Sequence, residues 1–261
     1  AATRVASGSA DVGFGGISAL MMAAAEGKIP VKAVMSLYSK QPDALFTRAD
    51  SKIKSLKDME GKTVAMPTFS SSNALWPIVL QKNGVDASKI KVIKSDPATL
   101  APMLAQGRVD ATINWVTVAP AFGAVLKQAN KDLAVLPWSQ FGLDGYGWSV
   151  MANDKLIKER PEVLKRYVRA LSKALEFSIQ NPQKAAESLK AQVPEADVTV
   201  IKAEFEASIP LLKNEISQRD GLGKFDAKLL ATTWGWVAQS MSYDLKKVDP
   251  ESLIDRSFLT K

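Results

Sequence analysis

The sequence predicts an α/β protein with a helical C-terminal region. Three observations carry this. Up to about Asn153, short apolar runs alternate with helix-patterned segments, the order of a parallel sheet with helical crossovers. Glycines and prolines punctuate the junctions, at Gly27, Pro30, Pro42, Gly61, Gly84 and Gly107. Beyond "GYGWSVMAND" the strand pattern stops and every segment reads as helix.

The elements follow in order. "AATRVASGSADVGFGG" reads as the end of a helix, a turn at Gly8 and a short strand, "DVGFG". "ISALMMAAAEG" is a helix opened by a glycine corner and closed by Gly27. "VKAVMSLY" and "DALFTR" are strands; "SLKDMEGKTVAMP" is a short helix stopped at Gly61, then a strand Thr63–Met66. A helix is expected from Ser70 to Lys82, then a strand in "KIKVIKSD", a helix in "ATLAPMLAQ", and a strand Ala111–Trp115. Pro120–Gln128 is helical and "LAVLPW" a strand. Glu162–Gln180 carries an apolar stripe at Leu164, Tyr167, Val168, Leu171, Leu175 and Ile179. Asn181–Pro182, a cap followed by proline, starts the next helix. "VTVIKAEFEASIPLL", "FDAKLLATTWGWVAQSM" and "DPESLIDRSF" complete the helical part.

With 261 residues the chain can form one large domain or two lobes. Its longest apolar stretches, such as Ile17–Ala25, fall short of the ~20 residues a membrane span needs. The net charge of +7 comes from lysines and arginines mixed with acids along the chain, so no nucleic-acid partner is expected. A positive field of this kind favours an anionic ligand. Neither cysteine nor histidine occurs, which removes thiol nucleophiles, Cys/His zinc sites and histidine bases from this sequence. No cofactor or metal is expected. No signal peptide is visible and the first residue is not Met, so the sequence is expected to follow processing or to begin inside a longer chain.

Four segments occur together in one order: "VASGSADVGFGGISALMMAAAEG", "GKTVAMPTFSSSNALW", "MLAQGRVDATINWVTVAPAF" and "GYGWSVMANDKLIKERPEVLKRYVRAL". Over essentially its whole length the chain resembles the substrate-binding proteins of bacterial ABC importers, in the branch for nitrate, sulfonates such as taurine, and thiamine-precursor pyrimidines. The resemblance implies a two-lobed periplasmic-binding-protein (type II) fold that closes on a ligand in a cleft. Lobe 1 would hold 1–48 and 148–261, and lobe 2 would hold 49–147, with "DALFTR" and "GWSVMAN" as the hinge strands. Members of that branch begin with a strand, a helix and a second strand not found here, so lobe 1 is expected to lack its N-terminal strands in this sequence. The resemblance further implies a monomeric receptor, periplasmic or lipid-anchored outside the cytoplasm, that hands a small molecule to an ABC transporter permease. A thiamine-pyrimidine enzyme and the sensing domain of a transcription regulator are the alternatives. The enzyme chemistry of that branch uses histidine and cysteine, which are missing here.

Ligands of such folds sit at the carboxyl ends of strands and the starts of the following helices. Four corners qualify. Gly15, Gly16 and Ser18 would let a ligand approach helix N–H groups, or would form a tight turn with Ser18 as a simple cap. Thr68, Phe69, Ser70, Ser71, Ser72 and Asn73 offer more hydroxyls than one cap needs, beside a helix start with partial positive charge, and so suggest a cradle for an anion or polar headgroup. Asn114 and Trp115 end a strand, where Trp115 could stack on a ligand or pack in the core, and Asn114 would need a partner if buried. Tyr146, between Gly145 and Gly147, could donate into the cleft, or the glycines could serve only as a hinge.

Overall fold

Two sheets organise the structure, a computed structural model that describes residues 1–27, 29–68, 70 and 72–259. The chain divides into two compact units: Ala1–Gln41, Asp144–Ala185 and Ile209 onward form the first, and Pro42–Leu143 with Ala186–Ser208 the second.

In the first unit, α1 (Ala2–Ala6) leads through a turn at Gly8, whose φ is +75°, to β1 (Val12–Gly16) and α2 (Ile17–Glu26). β2 (Val31–Ser36) follows. β1 and β2 are not neighbours: β8 (Trp148–Asn153) runs between them, antiparallel to both, in the order β1-β8-β2. Alternation of strand and helix predicts a parallel sheet here, and the pairs found are antiparallel. The cause is a strand that returns from far along the chain to fill the gap of a βαβ unit, which local periodicity does not encode. Ile17, Leu20, Met21, Met151, Leu230 and Trp234 pack together as the core of this unit.

The second unit starts at β3 (Asp43–Arg48). A 3-10 turn at Lys57–Met59 stands where a short helix was expected. Then come β4 (Thr63–Pro67), α3 (Ser72–Lys82), β5 (Lys91–Ser95), α4 (Pro97–Ala105), β6 (Ala111–Trp115), α5 (Ala119–Gln128) and β7 (Leu133–Pro137). β4 lies parallel to β5 and β6, and β3 is inserted antiparallel between β6 and β7, giving the order β5-β4-β6-β3-β7. β3 therefore pairs wholly within this unit, although the sequence placed 1–48 in the other lobe. Its residues hydrogen-bond to β6 on one side and β7 on the other. Asp96 caps α4 by accepting from the Ala98 N–H at 2.9 Å. Ala44, Phe46, Ala65, Leu100, Leu104 and Leu126 form the core on one face.

The helical remainder is α6 (Asp154–Glu159), α7 (Pro161–Gln180), α8 (Pro182–Gln192), α9 (Val198–Leu212), α10 (Glu215–Asp220) and α11 (Ala227–Met241). The α7 stripe is buried only in part: Leu164 and Val168 are buried, Leu171, Leu175 and Ile179 are half-buried, and Tyr167 is exposed along with Arg166 and Arg169. "DPESLIDRSF" forms two 3-10 turns, Pro250–Leu253 and Arg256–Phe258, each begun by an aspartate that accepts a backbone N–H. Among the described residues no helix is long and apolar enough to cross a membrane.

Candidate functional site

The insertion of β3 decides where the chemistry of the second unit collects. Because β3 runs against β6 and β7, its first residue lies beside their last: Asp43 pairs with Trp115, and Ala44 with Asn114 and Pro137. An acidic side chain is thereby set at the carboxyl edge of the parallel strands, where open α/β sheets bind ligands. Asp43 is fully buried.

Its neighbour is the start of α3. Ser72, also buried, donates its hydroxyl to Asp43 Oδ1. Ser70 Oγ lies 2.8 Å from Ser72 Oγ and accepts the Ser72 N–H at 3.2 Å. The Asn73 N–H donates to Ser70 O at 3.1 Å. The helix start is thus largely closed on itself. Of the N–H groups expected to form a cradle here, those of Ser72 and Asn73 are taken up by Ser70 Oγ and Ser70 O. Phe69 and Ser71 lie outside the described residues.

Asn73 is likewise occupied. Its Nδ2 donates to Pro67 O at 3.2 Å and Thr68 O at 3.1 Å, and its Oδ1 accepts from Lys94 Nζ at 2.6 Å. An amide with both donor hydrogens and its oxygen engaged holds the β4–α3 loop in shape, so its expected ligand role is replaced by a structural one. Burial lowers the pKa of Lys94. Thr68 is exposed, and both its N–H and its hydroxyl reach Ser95 O, at 3.2 and 3.4 Å.

Asn114 and Trp115 separate. Residues paired across a sheet share a face, so Trp115 lies on the Asp43 face and Asn114 on the opposite one, with Thr112 and Phe46. Asn114 Nδ2 donates to Thr112 Oγ1 at 2.9 Å, which satisfies the buried amide within its own strand. That partner removes the reason for placing Asn114 at a ligand. Trp115, half-buried, keeps its position at the edge beside Asp43.

In the first unit the β1–α2 corner has another character. No side chain caps α2 among the described residues, and the Ile17 N–H donates to Gly147 O at 3.1 Å. Gly16 and Ser18 are half-buried. A Cβ on Gly15 would meet Ala1 Cβ at 3.1 Å and Met151 Cε at 3.4 Å, so this glycine allows close packing of strand and helix rather than ligand approach. Beside the corner, Trp148 pairs with Gly16 and stacks on Tyr38, with ring centroids 6.0 Å apart and planes within 8°. Trp148 is 37% exposed, leaving part of an aromatic surface next to the start of α2. One row inward, the register partners Ser36 and Ser149 bury hydroxyls that have no partner among the described residues.

Tyr146, expected to donate into a cleft, lies in the core of the first unit. Its ring is 1% exposed and packs on Phe225 at 5.3 Å. Its oxygen accepts the Asp226 N–H at 2.6 Å and its hydroxyl donates to Lys224 O at 3.4 Å, with desolvation pushing its pKa up to about 12. The phenol locks a loop onto the core. Asp43, Tyr38 and Trp148 were not among the residues that the sequence marked. The signal for Asp43 was an acid directly after Pro42 and before the apolar run Ala44, Leu45 and Phe46.

Comparison with known proteins accords with this layout. A family model described as NMT1/THI5 like matches residues 1–185. The riboflavin-binding protein RibY of Chloroflexus aurantiacus is 27% identical over 237 residues, covering 89% of this chain and 66% of that protein. The chain thus spans slightly less than two thirds of this curated relative. Among solved structures, the periplasmic aliphatic sulphonate binding protein SsuA of Escherichia coli superposes with a TM-score of 0.75 at 21% identity, covering 97% of this chain and 78% of that one. The desulfurization enzyme DSZB shares the fold at a TM-score of 0.59 and 13% identity, over 95% of this chain and 83% of that one. Binding proteins and an enzyme therefore use the same framework, and with the family model aligned to residues 1–185, the chain belongs to the NMT1/THI5-like family.

Proposed function

We propose that the protein is a solute-binding receptor of an ABC importer, working outside the cytoplasm as a monomer and delivering a small polar organic solute to a permease. The two compact units serve as its lobes. The observation that carries this reading is the collection of Asp43, Ser70, Ser72 and Trp115 at the carboxyl ends of the parallel strands of a mixed sheet, the place where this architecture binds ligands. Family membership supports it, as do the names of relatives such as RibY. In the first unit, Gly16 and Ser18 at the open start of α2 and the Tyr38–Trp148 stack are the residues proposed to contact solute. The protein binds and releases the solute without altering it, in keeping with a sequence that has neither cysteine nor histidine.

A thermal-shift screen tests this, using riboflavin, 4-amino-5-hydroxymethyl-2-methylpyrimidine, taurine, aliphatic sulfonates and nitrate. A true ligand at a hundred times its Kd stabilises the fold by about 2.7 kcal/mol. The reading requires such a stabilisation from at least one solute class, and a flat response to all of them overturns it.

A further inference from the structure

The fold sorts charges that are mixed along the sequence. Between Lys155 and Lys173 stand seven lysines and arginines against two glutamates, a net of +5 out of the +7 of the whole chain. In α7 the spacing of Arg166, Arg169 and Lys173 puts them in one row, and all three are exposed. Glu162 forms an ion pair with Lys165 at 2.9 Å and also attracts Arg166. Arg169 and Lys173 have no ion pair among the described residues.

This row works against the helix that carries it. Arg169 lies four residues from both Lys165 and Lys173 and three from Arg166, and like charges at those spacings repel. The macrodipole favours cations in the last turn of a helix, yet the last turn of α7 has none, and Lys165 and Arg166 sit in its N-terminal half. Helix stability therefore does not account for the row, whereas an anionic partner does. Three cations strung over about 10 Å of helix suit an extended sheet of negative charge better than one small anion. Phe177, four residues beyond Lys173 on the same face, is 47% exposed. An aromatic ring beside cations gains apolar contact at a bilayer interface, and finds none on a run of carboxylates.

We propose that the exposed face of α7 is a docking surface for a bilayer that contains anionic lipid, with Arg166, Arg169 and Lys173 against the headgroups and Phe177 at the interface. This goes beyond solute binding, and because docking needs no solute, either reading can fail without the other. Each cation near an anionic bilayer strengthens attachment about fivefold, and salt screens that attraction.

The test is co-sedimentation of the intact protein with vesicles, either of phosphatidylcholine alone or of phosphatidylcholine and phosphatidylglycerol in equal parts. Binding is expected to the mixed vesicles only, and should be lost at roughly 0.5 M salt. The variant Arg166→Gln, Arg169→Gln, Lys173→Gln should bind on the order of 100-fold more weakly. Its urea midpoint should equal or exceed that of wild type, since the repulsion along the helix is relieved. A second variant, Lys52→Gln, Lys62→Gln, Lys91→Gln, removes three exposed cations of the second unit and should bind nearly as tightly as wild type. Equal losses in the two variants would mean that net charge alone drives binding, and would overturn the proposal. A lowered urea midpoint for the α7 variant would give the row to the fold and overturn it as well. So would wild-type protein that ignores the mixed vesicles, and if it then binds soluble poly-glutamate, the surface belongs to an acidic protein instead.

Discussion

Tyr146 shows what a buried polar tip does when it is not a ligand donor. Its hydroxyl holds the Lys224–Asp226 loop against the core, and Tyr146→Phe should remove about 1–2 kcal/mol of stability while leaving solute affinity intact. The pH dependence follows from the raised pKa. Below about pH 10 the phenol is protonated in both folded and unfolded chains, and its contribution is complete. Between about 10 and about 12 the unfolded chain gives up this proton first, so the contribution shrinks as pH rises. Urea midpoints of wild type and Tyr146→Phe should therefore converge as the pH climbs from 9 toward 12. A constant difference across that range would show that the phenol is not held as the structure has it. The residue scale is also where sequence reasoning was weakest. Asn114 was marked because a buried amide must find a partner, Asn73 as part of the hydroxyl-rich helix start, and Tyr146 as a donor flanked by glycines. They did find partners, but in Asp226, Pro67 and Thr112 rather than in a solute. Asp43 passed unnoticed because its position beside Trp115 comes from strand pairing across distant parts of the chain.

At the scale of elements, the sequence was far more legible. α9 begins and ends where "VTVIKAEFEASIPLL" does, and α7 covers the segment its periodicity marks, burying Leu164 and Val168 of the stripe while Tyr167 stays exposed, because helix periodicity is a local property and burial is not. The two inserted strands, β8 and β3, were legible as strands, but their antiparallel direction was not, since it depends on partners far away in the chain. Short pieces behave in an intermediate way, with caps deciding them more than periodicity. α10 has only six residues and depends on Asn214. The Oδ1 of Asn214 accepts from the N–H groups of Ile216 at 3.1 Å and Ser217 at 3.4 Å, and Ser217 Oγ accepts the Asn214 N–H at 2.9 Å. Its Nδ2 donates to Pro210 O and Leu211 O, tying the end of α9 to the start of α10. Asn214→Ala removes the cap and takes the amide partner from the buried Ser39 hydroxyl as well as one donor each from Pro210 O and Leu211 O, which should cost about 2 kcal/mol in denaturant unfolding. Asn214→Asp keeps the cap acceptor and loses the Nδ2 donors, so it should fall between the two. If Asn214→Asp is as unstable as Asn214→Ala, the cap contributes little and the carbonyl contacts dominate.

For the whole molecule, the path of the chain between the units predicts an order of assembly. The β4, β5 and β6 ladder joins segments separated only by α3 and α4, so little loop entropy is spent in closing it. The first unit's sheet cannot form in that way. β8 is its central strand, pairing Val12 with Ala152 and Val31 with Asn153, and the whole of Pro42–Leu143 lies between the partners. Closing that loop is cheapest once the intervening chain has folded and its ends are held. Refolding followed by pulsed hydrogen exchange should show amides of β4 and β6 protected first, and those of β1 and β8 last. Asn153 sharpens the test, because its Nδ2 donates to Val5 O at 2.7 Å and ties β8 to α1. Asn153→Ala should raise the unfolding rate and slow protection of β1 while leaving β4 and β6 on schedule. Protection of β1 and β8 ahead of β4 would mean that the discontinuous unit nucleates the fold, and that pairing across the inserted segment precedes its folding.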